Sequence, residues 1–278
     1  LANLENLGLS HIRSGADLAF AMDVPQSARL EAENLLAELG DRHFVTVSPS
    51  SVIRGYCERD GIDYVGLMAS ECDQIVSDLN VDLVVIAHAA RTGETESRMN
   101  DIPVCREIVR AMSHRDRVTL LDRSIDPATL RAIVDLSTVL VTSRFHAMIS
   151  ALATATPVVV LGWSHKYAEV MDSFGLHDWV LPYSVLGKRG LAARVSRAFA
   201  QRQVITSQID DHLEGIRLGL AGCSFGRTFG RGGLLGGLRR RGGGGLVRGR
   251  PRLGHRRLDP PAGQPLRRGG SQAQLRPR

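Results

Sequence analysis

From about residue 27 to residue 201, short apolar runs alternate with segments whose apolar residues recur every three or four positions. The runs His43–Val47, Val81–Ala87, Val118–Leu121, Val139–Val141 and Val158–Leu161 fit interior parallel strands, which are buried on both faces and so lack polar alternation. Between them the spacing predicts helices over Ser27–Leu39, closed by Gly40, and over Tyr64–Leu79, Ile102–Met112 and Pro127–Leu136. A further helix starts at about Arg144, where Phe145, Met148, Ile149 and Leu152 recur at i, i+3, i+4 and i+7, and a last one spans about Leu191–Gln201. Strands alternating with helices imply right-handed βαβ units, hence an α/β fold with a Rossmann-like parallel sheet and helices on both faces.

Ligands of such sheets collect beyond the carboxyl ends of the strands. The loops Ser48–Arg54, His88–Arg91, Asp122–Ser124, Thr142–His146 and Gly162–Lys166 are therefore expected to share one edge. They would gather Arg54, His88, Arg91, Arg144, His146 and Lys166, a cationic set suited to a small polyanion. The turn at Thr142–Arg144 is the most informative of them, because a helix start offers unpaired amides and the positive end of the helix dipole to an anion. A guanidinium grips carboxylate or phosphate through two parallel bonds, and an imidazole titrates near neutral pH. Plainer roles compete: a histidine at a helix start is often only a hydrogen-bonded loop group, and Arg54 and His88 can be solvated. Lys166 can serve only to fix the neighbouring loops. Asn100 and Asp101 read as a helix cap, and Trp163 and Tyr167 either stack on a sugar or pack beside the strand.

Charge divides the chain. Residues 221–278 hold 14 Arg, no Lys and the single acidic residue Asp259, whereas residues 1–220 hold 21 basic and 28 acidic residues. The overall charge of +6 thus averages a mildly acidic segment and a strongly basic one. Sixteen of the 29 glycines also lie after residue 220, with no apolar periodicity, so this tail is expected to be disordered. Its Arg, Gly and Pro content is also what an out-of-frame reading of a GC-rich gene produces. Phe225 and Phe229 are its only aromatics, too few for nucleic-acid stacking, so no nucleic-acid partner is expected. Cys57, Cys72, Cys105 and Cys223 are widely spaced, which implies reduced thiols, a cytoplasmic setting and no zinc site. No stretch suggests a signal peptide or a transmembrane segment.

The pattern Ser143-Arg144-Phe145-His146-Ala147-Met148-Ile149, followed by Thr156-Pro157-Val158-Val159-Val160 and by Ser164-His165-Lys166, resembles the polysaccharide pyruvyl transferase family. The resemblance covers roughly residues 15–185, and the segment Gly15–Phe20 and the pair Asn100-Asp101 belong to it as well. It implies a transferase that moves a pyruvyl group from phosphoenolpyruvate to hydroxyls of a cell-surface polysaccharide or its precursor, forming a ketal. Arg144 and His146 are then the catalytic pair. Donor binding would fall to Arg144, the backbone N–H of Phe145, and His146, with Arg54, Lys166 and His88 beside them. Phosphoenolpyruvate enters as a substrate, so neither a cofactor nor a metal is expected. The acceptor would be a saccharide or a lipid-linked saccharide, met in the cytoplasm or at the inner face of the membrane.

The resemblance further implies the C-terminal domain of a GT-B-type two-domain enzyme. Family members are usually longer at the N-terminus, so residues 1–40 are expected to be a remnant of the preceding domain and its linker, 41–220 the Rossmann-like domain and 221–278 the tail. Two other readings share this architecture: a nucleotide-sugar glycosyltransferase or epimerase, and an inactive truncated remnant. Against the glycosyltransferase stands the absence of any acidic residue between Arg144 and Trp163, where a ribose-binding carboxylate would be expected.

Overall fold

The computed structural model describes residues 16–90, 99–188 and 190–221. Arg91 and the Arg/Gly-rich segment beyond residue 221, the expected disordered tail, lie outside them.

Six strands form one wholly parallel sheet: β1 Phe44–Ser48, β2 Asp82–Ile86, β3 Val118–Leu121, β4 Val139–Thr142, β5 Val158–Gly162 and β6 Val180–Pro182. Their lateral order is β3-β2-β1-β4-β5-β6. This is the doubly wound order, in which the chain winds outward one way from β1 and then the other way from β4. Every residue of β1, β2, β4 and β5 is buried, which is why those strands read as continuous apolar runs. Edge strand β3 is mostly half-buried.

Nine α-helices accompany the strands among the described residues: α1 Gln26–Leu35, α2 Ser51–Arg59, α3 Tyr64–Leu79, α4 Ile102–Ala111, α5 Pro127–Leu136, α6 Phe145–Ala153, α7 His165–Ser173, α8 Gly190–Ala200 and α9 Arg202–Ala221. Helix α3 packs against α4 and α8, whereas α5 packs against α1 and α6, so the helices form two groups. The starts are set locally. Asp63 accepts from the Gly66 amide before α3, and Asp126 accepts from Ala128 before α5, where Pro127 sits at the first helical position. Asn80, in the left-handed region, ends α3.

The segment before β1 lies on the same core. Phe20 stacks on Phe174 with ring centroids 5.8 Å apart, and the buried Arg131 of α5 donates to the carbonyls of Ala19 and Met22, each at 2.7 Å. Burial holds the pKa of Arg131 below its ordinary value, yet these bonds satisfy the guanidinium.

Three expectations need correction. The stretch Ser48–Arg54 is a loop only at Pro49–Ser50, because Ser50 accepts from the Val52 amide at 3.2 Å and starts α2, which buries Ile53 and Cys57. Lys166 lies in the first turn of α7, begun by Ser164, and not in a loop. The helix expected to run from Ser27 to Leu39 breaks at Leu36 into α1 and a 3-10 turn, Ala37–Leu39, before Gly40 takes a φ of 56°.

Candidate functional site

Strands β1 and β4 are adjacent, yet the chain leaves them toward opposite flanks of the sheet. Such a switch point opens a crevice between the two strand ends, the expected ligand position of a doubly wound sheet. Here the crevice is framed by the starts of α2 and α6. The Ser143 amide donates to the Ser48 carbonyl at 3.1 Å, joining the two strand ends. Tyr167 donates its hydroxyl to the Ser143 carbonyl at 2.9 Å, and the Ser50 amide donates to Tyr64 Oη at 3.3 Å, so buried tyrosines hold both turns from behind.

At the start of α6, Thr142 Oγ1 accepts from the Arg144 amide at 3.0 Å. Arg144 itself is the extended cap residue, with φ −110° and ψ 129°, and its side chain does not cap the helix. It turns instead to Asp101, at the start of α4. Arg144 Nε donates to Asp101 Oδ2 at 2.8 Å, while Nη2 donates to Asp101 Oδ1 and, at 3.1 Å, to Ser51 Oγ. The same carboxylate accepts from the Ser51 amide at 2.9 Å, from the Ser51 hydroxyl at 3.1 Å and from the Ala89 amide at 3.1 Å. The Asp101 side chain is fully buried and that of Arg144 is 13 % exposed. A charge taken that far from water must be paired and hydrogen-bonded, and this one is. The expected cap pair divides: Asn100 Oδ1 accepts from the Ile102 amide at 3.3 Å, whereas Asp101 holds the cap position of α4 without capping it through its side chain, and its carboxylate joins α2, α4, α6 and the end of β2.

His88 follows β2 and borders this cluster. Burial pushes its pKa down to about 4; Asp101 pulls it up, while His146, Arg144 and Arg131 add to the depression. His88 is therefore neutral near pH 7 and adds no positive charge to the cluster. His146, second residue of α6, is exposed, its ring edge-on to Phe145 with centroids 5.7 Å apart.

The expected cationic set is thus only partly assembled. Arg144, His146 and His88 meet at the switch point. Arg54 lies within α2, paired with Glu58 at 2.7 Å and with Glu107 of α4 at 3.0 Å, and these carboxylates raise its pKa. Its charge is spent on joining α2 to α4. Lys166 is exposed and has no carboxylate partner among the described residues. Arg91 lies outside them. Residue reasoning missed the part of Asp101, and the one available signal was an acidic residue opening a helix after a polar loop. Among the described residues no group of three or more His, Cys, Asp or Glu is placed to hold a metal ion, and no helix is long and apolar enough to cross a membrane.

The site combines a helix start without a side-chain cap, a guanidinium fixed by a buried carboxylate, a neutral histidine and an exposed one. Such a set can bind a small anion and move a proton beside it.

The family model described as polysaccharide pyruvyl transferase matches residues 2–165, a stretch that spans β1 to β5 and the whole cluster around Asp101. No curated protein matches the chain. Among solved structures, an alpha,alpha-trehalose-phosphate synthase (UDP-forming) from Burkholderia vietnamiensis is 16% identical, with a TM-score of 0.47, over 69% of this chain and 47% of that one. The corresponding synthase from Burkholderia multivorans is 17% identical over 68% of this chain and 44% of that one, with a TM-score of 0.46. The glycosyltransferase SnogD from Streptomyces nogalater is 13% identical over 65% and 44%, with a TM-score of 0.29. The chain spans about half the length of the solved structures it matches.

Proposed function

The chain belongs to the polysaccharide pyruvyl transferase family, an enzyme family, and from that premise we propose that it transfers the pyruvyl group of phosphoenolpyruvate to two hydroxyls of a saccharide, forming a cyclic ketal. The observation that carries this reading is the pairing, at one helix start, of an exposed His146 with an Arg144 whose guanidinium is held by the buried Asp101.

The reaction joins the ketal carbon to two acceptor oxygens and breaks its bond to the phosphate oxygen. One hydroxyl proton balances the proton delivered to the methylene, which becomes a methyl group, and the other leaves with phosphate. The enzyme must therefore hold a carboxylate and a phosphate, deliver one proton to carbon and remove protons from oxygen.

In this reading the amides of Phe145 and His146 at the start of α6 receive an anionic group of the donor, with Arg144 beside it. Asp101 neutralises the charge of Arg144, so its task is orientation more than long-range attraction. Lys166, exposed at the start of α7, supplies uncompensated charge from the next strand end. His146, exposed at that helix start, shuttles the proton. His88, kept neutral, adds no further positive charge beside His146.

The acceptor would be a saccharide or a lipid-linked saccharide, and the reaction would run in the cytoplasm or at the inner face of the membrane. The test is calorimetric titration of phosphoenolpyruvate into the full chain, with Arg144→Ala and His146→Ala beside it. Saturable binding lost in the arginine variant, with transfer lost in the histidine variant, is the expected result. A folded chain that binds no phosphoenolpyruvate would overturn the donor assignment.

A further inference from the structure

A file of aromatic rings runs from the β6 edge of the sheet to His146. Tyr183, which follows β6, stacks on Tyr56 of α2 with centroids 6.3 Å apart, and Tyr56 lies 5.5 Å from Trp163 at the end of β5. Trp163 meets Tyr167 at 6.1 Å, Tyr167 meets Phe145 at 5.8 Å, and Phe145 meets the His146 imidazole at 5.7 Å. The five aromatic side chains come from α2, α6, α7 and the segments after β5 and β6.

The two halves of the file differ. Tyr167 is buried and its hydroxyl is committed to the Ser143 carbonyl, so the inner half is packing. In the outer half Trp163 is 40% exposed, and Tyr56 and Tyr183 are half-buried. Polar groups accompany those rings: the Arg59 guanidinium lies over the Tyr56 ring, 4.4 Å from its centroid, and the Tyr183 hydroxyl donates to Asp60 Oδ2 at 2.5 Å. An exposed indole alone would mean little, but a partly exposed aromatic strip with a polar rim, leading to an exposed histidine, has the character of a ligand surface.

We propose that Trp163, Tyr56 and Tyr183 form a saccharide platform, on which pyranose rings of the acceptor stack so that the reacting diol reaches His146. This rests on the pyruvyl transferase reading for its direction toward His146. The chemistry fits one occupant, a neutral oligosaccharide. A pyranose presents C–H groups on one face, complementary to the negative face of an aromatic ring, and hydroxyls around its rim, complementary to Arg59 and Asp60. The apolar face of a pyranose changes with the axial or equatorial placement of its hydroxyls, but one aromatic strip accepts the C–H face of more than one sugar.

That tolerance makes the test decisive without knowledge of the natural acceptor. The full chain is titrated, by saturation-transfer difference NMR, with malto-, cello-, galacto- and N-acetylchito-tetraose, and by calorimetry with phosphoenolpyruvate. At least one tetraose is expected to bind saturably, with an affinity that falls about tenfold in Trp163→Ala and in Tyr56→Ala and is kept in Trp163→Phe. Thermal melting establishes that each variant is folded. Binding of none of the four, or binding indifferent to both alanine variants, overturns the platform, whatever phosphoenolpyruvate does. Tetraose binding lost in the variants while phosphoenolpyruvate fails to bind supports the platform and overturns the donor reading alone.

Discussion

Arg144 and Asp101 form a two-pronged ion pair that fastens the start of α6 to the start of α4 across the switch point of the sheet. Because the carboxylate also accepts from Ser51 and Ala89, three separate pieces of chain converge on it. The position of the site thus depends on a residue that makes no claim to chemistry of its own.

Asp101→Ala is expected to destabilise the fold by roughly 3–5 kcal/mol, because it strands a guanidinium that is largely out of water. Urea unfolding followed by circular dichroism measures this. A loss below about 1 kcal/mol would mean that solvent reaches Arg144 freely.

Arg144→Lys keeps the charge but not the planar fork, so it cannot make both bonds to Asp101. Phosphoenolpyruvate affinity should fall by about tenfold or more, together with a stability loss of about 1–3 kcal/mol. Unchanged affinity in a destabilised protein would confine Arg144 to a structural part.

His146→Ala removes an exposed side chain and should alter stability by no more than about 0.5 kcal/mol while lowering transfer by about 10²–10⁴-fold. Transfer at the parent rate would place proton movement on another group.

His88 should make stability depend on pH. Its folded pKa, about 4, lies below the usual histidine value, so between about pH 6.5 and 4 the unfolded chain binds more protons than the native one. Stability therefore falls as pH falls through that window, by an amount on the order of 1–3 kcal/mol from this residue. Urea midpoints at pH 7 and pH 4.5 should differ less in His88→Asn than in the parent, and equal differences would show that the ring is solvated in the native state.

Arg54→Ala should cost about 1 kcal/mol or less, the scale of partly exposed ion pairs, and should leave phosphoenolpyruvate affinity within about twofold. A tenfold loss of affinity would return Arg54 to the donor site.

The legible parts of the sequence were those fixed by local patterning. Helices α3 and α5 and strand β3 have the boundaries their apolar spacing implies, and buried strands β1, β2, β4 and β5 were apparent from their unbroken apolar character. Helix α2 was obscured by Gly55 and the charged Arg54, Glu58 and Arg59, although Ile53 and Cys57 carry its buried face. Strand β6, three residues long and ending in Pro182, gives almost no periodic signal. Arg144 and His146 were marked by the strand-to-helix turn. Their settings were not, because the partner of Arg144 lies 43 residues away and only tertiary structure brings it near.

The lateral order of the strands also fixes when the site can exist. Ser48 and Thr142 stand side by side at the mouth of the crevice, yet they are 94 residues apart in the chain. Closing so long a loop is entropically slow, and pairing of this kind lowers the contact-order-limited folding rate. A nascent chain that has built β1, β2 and β3 holds half a core and no crevice. The crevice requires β4 beside β1, the pairing that brings Arg144 to Asp101.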